Sequence, residues 1–447
     1  MLKNKTVNII GAGLAGCEAA VFLANNGVKV NLYEMKQIKK TPAQKSDNFA
    51  ELVCSNSLKS TEPLSASGLL KLELQNLDCF LLDCANKCSV PSGNSLSVDR
   101  EKFSGMVTSF VENNKNITII NKVVENIDIN IPTIVAAGPL CDEKLFSNLK
   151  SLIGEDNCYF YDAIAPIVSL DSIDMSKAFW ANRYDKGDSQ DYLNCYFTKD
   201  EYDIFVKELQ NAKTVELHDF EKLKVFEGCM PIEVLAKRGE RSLRFGPMKP
   251  VGLRQHTEQK PYAIVQLRKE NTQGSCLNLV GFQTNLLFGE QKRVFSLIPA
   301  LKNAEFIRYG TMHKNCYINA PNCLNKYSQL KDYPNIFIAG QISGVEGYVE
   351  SIASGLYSAI NMLLYICGED LKDLPSTTAI GALMQYITTA NPKDFQPMNA
   401  NYGIISHERI QDKQQKKQLI LDKSLCEINK FKEEIWKVCL KAQQSVQ

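Results

Sequence analysis

TVNIIGAGLAGCEAAVFLANNGVKVNLYE, residues 6–34, decides the fold. Val7 to Ile10 is an apolar run of strand length, Cys17 to Asn25 has helical character, and Val28 to Tyr33 is a second strand closed by Glu34. Between strand and helix stand Gly11, Gly13 and Gly16, in the G-x-G-x-x-G spacing. Gly11 permits the tight turn, Gly13 lets the backbone approach a pyrophosphate, and Gly16 allows close packing of helix on strand. The turn Gly11, Ala12, Gly13, Leu14, Ala15, Gly16 is therefore expected to bind a cofactor, with phosphates at the positive end of the helix. Glu34 stands where a carboxylate accepts from a ribose hydroxyl.

The far end of the chain bears on which dinucleotide binds. NIFIAGQISGVEGYVESIASGL (335–356) reads as a strand, then Gly340, then a glycine-punctuated helix start. TIVAAGPL (133–140) reads as another strand stopped by Gly138 and Pro139. A nucleotide domain split in this way suits FAD better than NAD alone. The expected architecture is α/β: a split Rossmann-like FAD-binding domain at 1–175 and 320–447, with an inserted α+β domain at 176–319. In the insert, PYAIVQLRK and LNLVGFQT read as strands and TKDEYDIFVKELQNA as a helix. The chain after Gly403 reads as a long amphipathic helical tail whose charges form a solvated face.

Bulk properties set limits. The 447 residues carry a net charge of +1, so any nucleic-acid site must come from local clustering rather than overall charge. Fifteen cysteines lie scattered without a disulfide-framework spacing. No leader pattern and no bilayer-length apolar run is evident, which points to a soluble, cytoplasmic protein with reduced thiols and no membrane association. Cys79, Cys84 and Cys88 match no zinc spacing and read as core residues. The histidines (His218, His256, His313, His407) form no ligand pair, and only His313 stands in what reads as a polar loop. No metal site is expected.

Further strings extend from the fingerprint to residue 403: FAELVCSNSLKS, SVDREKF, FYDAIAPIV, RYDKGD, FEGCMPIEVLAKRG, LRFGPMKPVGL, PYAIVQLRKEN, LVGFQTNL, GEQKRVF, AGQISGVEGYVES and FQPMNANYG. In these the chain resembles the folate- and FAD-dependent uridine-5 methyltransferases of bacterial RNA. The resemblance implies 5,10-methylenetetrahydrofolate as carbon donor, FAD as electron carrier and NAD(P)H as reductant. The substrate it implies is RNA, with tRNA preferred and ribosomal RNA the alternative. A flavin oxidoreductase acting on a small molecule is the reading from a different class.

Uracil C5 becomes nucleophilic only after something adds at C6, and a thiolate can do so. Cys229 is the expected nucleophile: it stands between Gly228 and Pro231, ahead of Lys237, Arg238, Arg241, Arg244, Lys249 and Arg254. Such cations favour a thiolate and can hold RNA phosphates. Cys54, in the polar loop of ELVCSNSLKS, is the second candidate thiol, and the resemblance marks it as an active-site residue too. Arg100 is expected to meet a flavin phosphate or a folate carboxylate, and Asp99 to cap the helix that begins there.

Overall fold

The computed structural model describes residues 5–41, 43–154, 158–163, 165–185, 190–215, 230–254, 260–393, 395–408 and 410–444, with backbone alone for 158–163, 312–314 and 441–444. A five-stranded parallel sheet forms the centre of the nucleotide-binding half. Its order across the sheet is Ile336–Ile338, Thr133–Val135, Thr6–Ile10, Lys29–Glu34 and Ile117–Asn121. The N- and C-terminal parts of the chain thus share one sheet, as a split Rossmann fold requires. Strand residues such as Val7, Ile9 and Ile134 are fully buried, because helices cover the sheet on its faces.

Two helices bring the late segment onto the early one. Leu14–Asn25 and Tyr348–Cys367 pack so closely that a Cβ on Gly355 would lie 2.4 Å from the carbonyl oxygen of Ala15. Tyr348–Cys367 is long and apolar enough to cross a bilayer, but 94% of that stretch is buried inside the protein. It is a core helix. The C-terminal helix, Lys413–Gln444, packs on Ala66–Asn76 through an apolar stripe that includes Ile420, Ile428 and Phe431. Its charged residues lie on the opposite, solvent side, as its amphipathic pattern predicts.

The second half is built on a six-stranded antiparallel sheet. Its order is Ala178–Trp180, Tyr192–Phe197, Ala263–Lys269, Cys276–Leu279, Ile167–Ser169 and Phe306–Arg308. Lys199–Asn211 covers it and starts in a capping box between Thr198 and Glu201. A two-stranded ribbon, Cys158–Ala163 with Met312–Tyr317, lies where the chain passes between the halves. Two local readings are corrected. LNLVGFQT stops being a strand at Leu279, and the chain turns at Gly281 with φ +78°, where an added Cβ would lie 2.8 Å from the Pro247 side chain. His313 belongs to the ribbon strand rather than to a loop.

Buried carboxylates tie helices together. Glu73 accepts from the backbone N–H groups of Ala379 and Ile380 (2.5 and 2.8 Å), at the start of Ala379–Thr389, and from the Ser424 hydroxyl of the C-terminal helix. Glu18 accepts in the same way from Phe80 and Leu81, at 3.0 and 2.8 Å. Burial pushes both carboxyls up to about 7, from an ordinary value of 4.5. The folded chain therefore keeps these protons through a pH window in which the unfolded chain has released them, and raising the pH across that window lowers stability. Urea unfolding should accordingly show a midpoint that falls between roughly pH 5 and pH 8, with a shallower fall in Glu73→Gln. Glu73→Ala, which orphans three donors, should cost about 2–4 kcal/mol by the same measurement.

Candidate dinucleotide cleft and thiol loop

A cleft opens at the carboxyl edge of the parallel sheet and holds about 1050 Å³ of empty space, its mouth included. The glycine turn, Glu34, Thr41, Ala136 to Leu140, Gly340 and Tyr348 are among its walls. Gly11 adopts φ +104°, and a Cβ there would lie 2.5 Å from the Ala136 carbonyl oxygen; a Cβ on Gly16 would lie 1.8 Å from that of Gly11. Both positions exclude side chains for reasons internal to the protein. Gly13 differs, since nothing beyond its neighbours along the chain lies within 4 Å of where its Cβ would stand. It faces the cleft.

Gly13 caps the helix Leu14–Asn25 with no side-chain hydrogen bond, and no acidic residue occupies the first turn. The positive helix end is thus left for a ligand's anionic group. Glu34 accepts from the N–H of Ala12 at 2.8 Å and of Lys36 at 2.9 Å, which fixes its carboxylate on the cleft wall. Each oxygen keeps a lone pair for a further donor such as a ribose hydroxyl. Gly340, at φ +77°, takes an N–H···O bond to Ser354 and packs against Ala15. The buried Thr41 hydroxyl on the same wall has no protein partner, so the cleft offers it to a ligand. An extended dinucleotide fits these features.

Cys54 is half-buried, in a loop that both halves of the molecule grip. Tyr348, at the start of its helix, accepts through its hydroxyl from the N–H groups of Cys54 (2.7 Å) and Ser55 (3.0 Å). Arg100 donates to the carbonyls of Leu52 (2.8 Å) and Cys54 (3.4 Å) and pairs with Glu270 at 2.8 Å. Arg268 donates to Asn56 and Ser55, at 3.0 Å each, and Arg308 donates to the Val53 carbonyl at 3.0 Å. Burial and the neighbouring Arg100 charge hold the Arg308 guanidinium below its usual range. Burial pushes the Tyr348 phenol up, so it stays protonated.

Cys229 lies outside the described residues, as do His218 and His256. The chain immediately after it is firmly held: Ile232 N–H donates to the Gln283 carbonyl at 2.7 Å, and buried Glu233 accepts from the Thr284 hydroxyl and the Asn285 N–H, at 2.8 Å each. Of the expected RNA-binding cations, Lys237, Arg238, Arg241 and Arg254 are exposed, and Arg244 and Lys249 are half-buried. The structure places these six along 237–254, in the half that carries the antiparallel sheet. Asp99 caps Arg100–Glu112 by accepting from the Lys102 N–H. Cys17, Cys79, Cys84 and Cys88 are buried core thiols, and no metal-ligand cluster occurs among the described residues.

Arg268, Arg308 and Tyr348 were not singled out from sequence. A signal existed for Arg268: it shares a strand face with Ile264 and Gln266, a position from which its charge needs a buried partner. Arg308 and Tyr348 gave none, since their partners lie more than 250 residues away along the chain.

Fold and cleft together define a two-segment dinucleotide-binding protein of the flavoprotein type, carrying a second, thiol-adjacent half. Residues 6–370 match the family model for glucose inhibited division protein A. The chain is 52% identical over 416 residues to the Bacillus subtilis (strain 168) methylenetetrahydrofolate--tRNA-(uracil-5-)-methyltransferase TrmFO, covering 93% of this chain and 95% of that protein. It is 54% identical over 422 residues to the protein of the same name from Caldicellulosiruptor bescii, covering 93% and 96%. The crystal structure of Aquifex aeolicus GidA in its form II crystal superposes with a TM-score of 0.71 at 17% identity, covering 99% of this chain and 75% of that one. The chain belongs to the glucose inhibited division protein A family and, within it, to the methylenetetrahydrofolate--tRNA-(uracil-5-)-methyltransferases.

The glycine geometry separates two kinds of substitution. Gly13→Ala should leave the unfolding midpoint near that of the parent chain, yet deplete bound flavin dinucleotide after gel filtration, read from visible absorbance. Gly16→Ala should lower stability as well, because its methyl group meets backbone.

Proposed function

We propose that this protein methylates C5 of a uridine in tRNA, most specifically in the T-loop, with methylenetetrahydrofolate as carbon donor. The reading is carried by identity above 50% across 93% of the chain with proteins bearing that activity in their names. It operates in the cytoplasm, where tRNA and folate are both present. FAD, when bound, supplies the electrons that take the transferred carbon to the methyl level, with NAD(P)H as their source.

In this reading the chain's own residues divide the work. Gly11 to Gly16 and the first helix hold the pyrophosphate, and Glu34 orients the ribose. Cys229 adds as thiolate to uracil C6, and the electron pair displaced to C5 attacks the electrophilic one-carbon unit. The C–N bond to the folate then breaks, two electrons and a proton going to the carbon and a proton to the departing tetrahydrofolate nitrogen, and loss of the C5 proton lets the sulfur leave C6 with restoration of the ring double bond. Cys54, held by Tyr348 and the three arginines, stands at the cofactor side as the second thiol, an acid–base group or an aid to adduct release. Lys237, Arg238, Arg241, Arg244, Lys249 and Arg254 bind RNA phosphates, which positions the substrate without reading its sequence.

Cys229→Ala should retain flavin and lose at least about a thousandfold in 5-methyluridine formation, measured by nucleoside mass spectrometry of tRNA and ribosomal RNA assayed separately. Parent protein incubated with 5-fluorouridine RNA should give a denaturation-resistant adduct that peptide mapping locates at residue 229. Full turnover by the alanine variant removes the assignment.

A further inference from the structure

Phe245 is 71% exposed, the most exposed large apolar side chain among the described residues. Its position is nonetheless rigid. It lies on the short helix Ser242–Phe245, with Leu243 and Met248 fully buried on either side. Its own N–H donates to the Arg241 carbonyl at 3.1 Å, Gly246 N–H to Ser242 at 3.0 Å, and Met248 N–H to Leu243 at 2.8 Å. A phenyl ring held out into water by a well-anchored turn is preorganised for a flat partner.

Arg244 stands beside it. The guanidinium carbon lies 5.9 Å from the Phe245 ring centre and 4.4 Å from that of Tyr262, and Nε donates to the Tyr262 carbonyl at 2.9 Å. Tyr262 is itself braced edge-on by Tyr202, whose hydroxyl donates to the Glu240 carbonyl at 2.8 Å. Lys237, Arg238, Arg241, Lys249 and Arg254 belong to the same stretch, where Glu240 is the sole carboxylate between Lys237 and Arg254. Protein–protein interfaces deplete charge around their apolar centres, whereas single-stranded nucleic acids combine phosphates with stackable bases. A lone ring among cations matches the second partner.

We propose that Phe245 is a stacking platform for an unpaired base of the RNA substrate, other than the uridine being methylated, with Arg244 fixed along its flank. This deepens the RNA reading of the preceding subsection and rests on it. Base–aromatic stacking tolerates any base, so the contact adds affinity and places the loop without setting sequence preference.

The test compares parent, Phe245→Ala and Phe245→Trp proteins binding a tRNA transcript over a salt series, alongside steady-state methylation. Phe245→Ala should weaken binding about tenfold, and the loss should appear in KM for RNA. The tryptophan variant should restore affinity. The slope of log affinity against log salt should stay at the parent value in Phe245→Ala and shrink in Arg241→Ala, because only the latter removes a phosphate contact. Parent-like binding by the alanine variant overturns the proposal. So does a tryptophan variant as weak as alanine while both keep the parent's circular dichroism. Self-association of the parent in light scattering, abolished in Phe245→Ala with RNA affinity intact, overturns it too by assigning the ring to a second copy. A parent protein that binds no RNA and leaves no 5-methyluridine instead sinks the broader functional reading.

Discussion

The loop Leu52–Asn56 is held from two sides at once, and the working geometry of the molecule depends on that grip. Tyr348 fixes it from the helix that completes the nucleotide-binding half, and Arg268 and Arg308 fix it from the antiparallel sheet. Arg100 joins the two by bonding the loop carbonyls and Glu270 together. Asp99 repeats the link through the Thr272 hydroxyl, at 2.6 Å. Buried guanidinium groups need charged or carbonyl partners, so this network holds only when both halves are docked. A half-buried cysteine thereby acquires a fixed place at their seam.

The same seam explains why a chain split in sequence makes sense as chemistry. The early glycine turn and the late Gly340 segment meet on one sheet and enclose the cleft. Between them the chain leaves to build a second sheet and a cationic stretch, then returns beside Gly340. These parts abut at the 52–56 loop. Cys54 lies there, and the chain after Cys229 is pinned by Glu233 to the 283–285 segment of the second half.

Local signals were readable in the amino-acid sequence where one segment contains all the physics. Gly11, Gly13 and Gly16 act within a single turn, and Asp99 caps its own helix. The split sheet was readable because its two glycine-marked strands each end at the nucleotide. The arginine grip on Cys54 was not, because Arg308 reaches Val53 across 255 residues and nothing local marks it. Gly281 was misleading for a related reason: its φ of +78° turns the chain out of the strand, and the Pro247 side chain that would crowd a Cβ there is remote along the chain. Nothing local marks Phe245, whose exposure follows from how its turn is seated on the buried Leu243 and Met248.

The most direct measurement supplies tRNA with methylenetetrahydrofolate isotopically labelled at its methylene carbon, NAD(P)H and the purified flavoprotein. If the account holds, the label appears at C5 of a single T-loop uridine, and none is incorporated when the folate is replaced by S-adenosylmethionine. Reductant consumed with no label entering RNA, or label entering from S-adenosylmethionine alone, would contradict it.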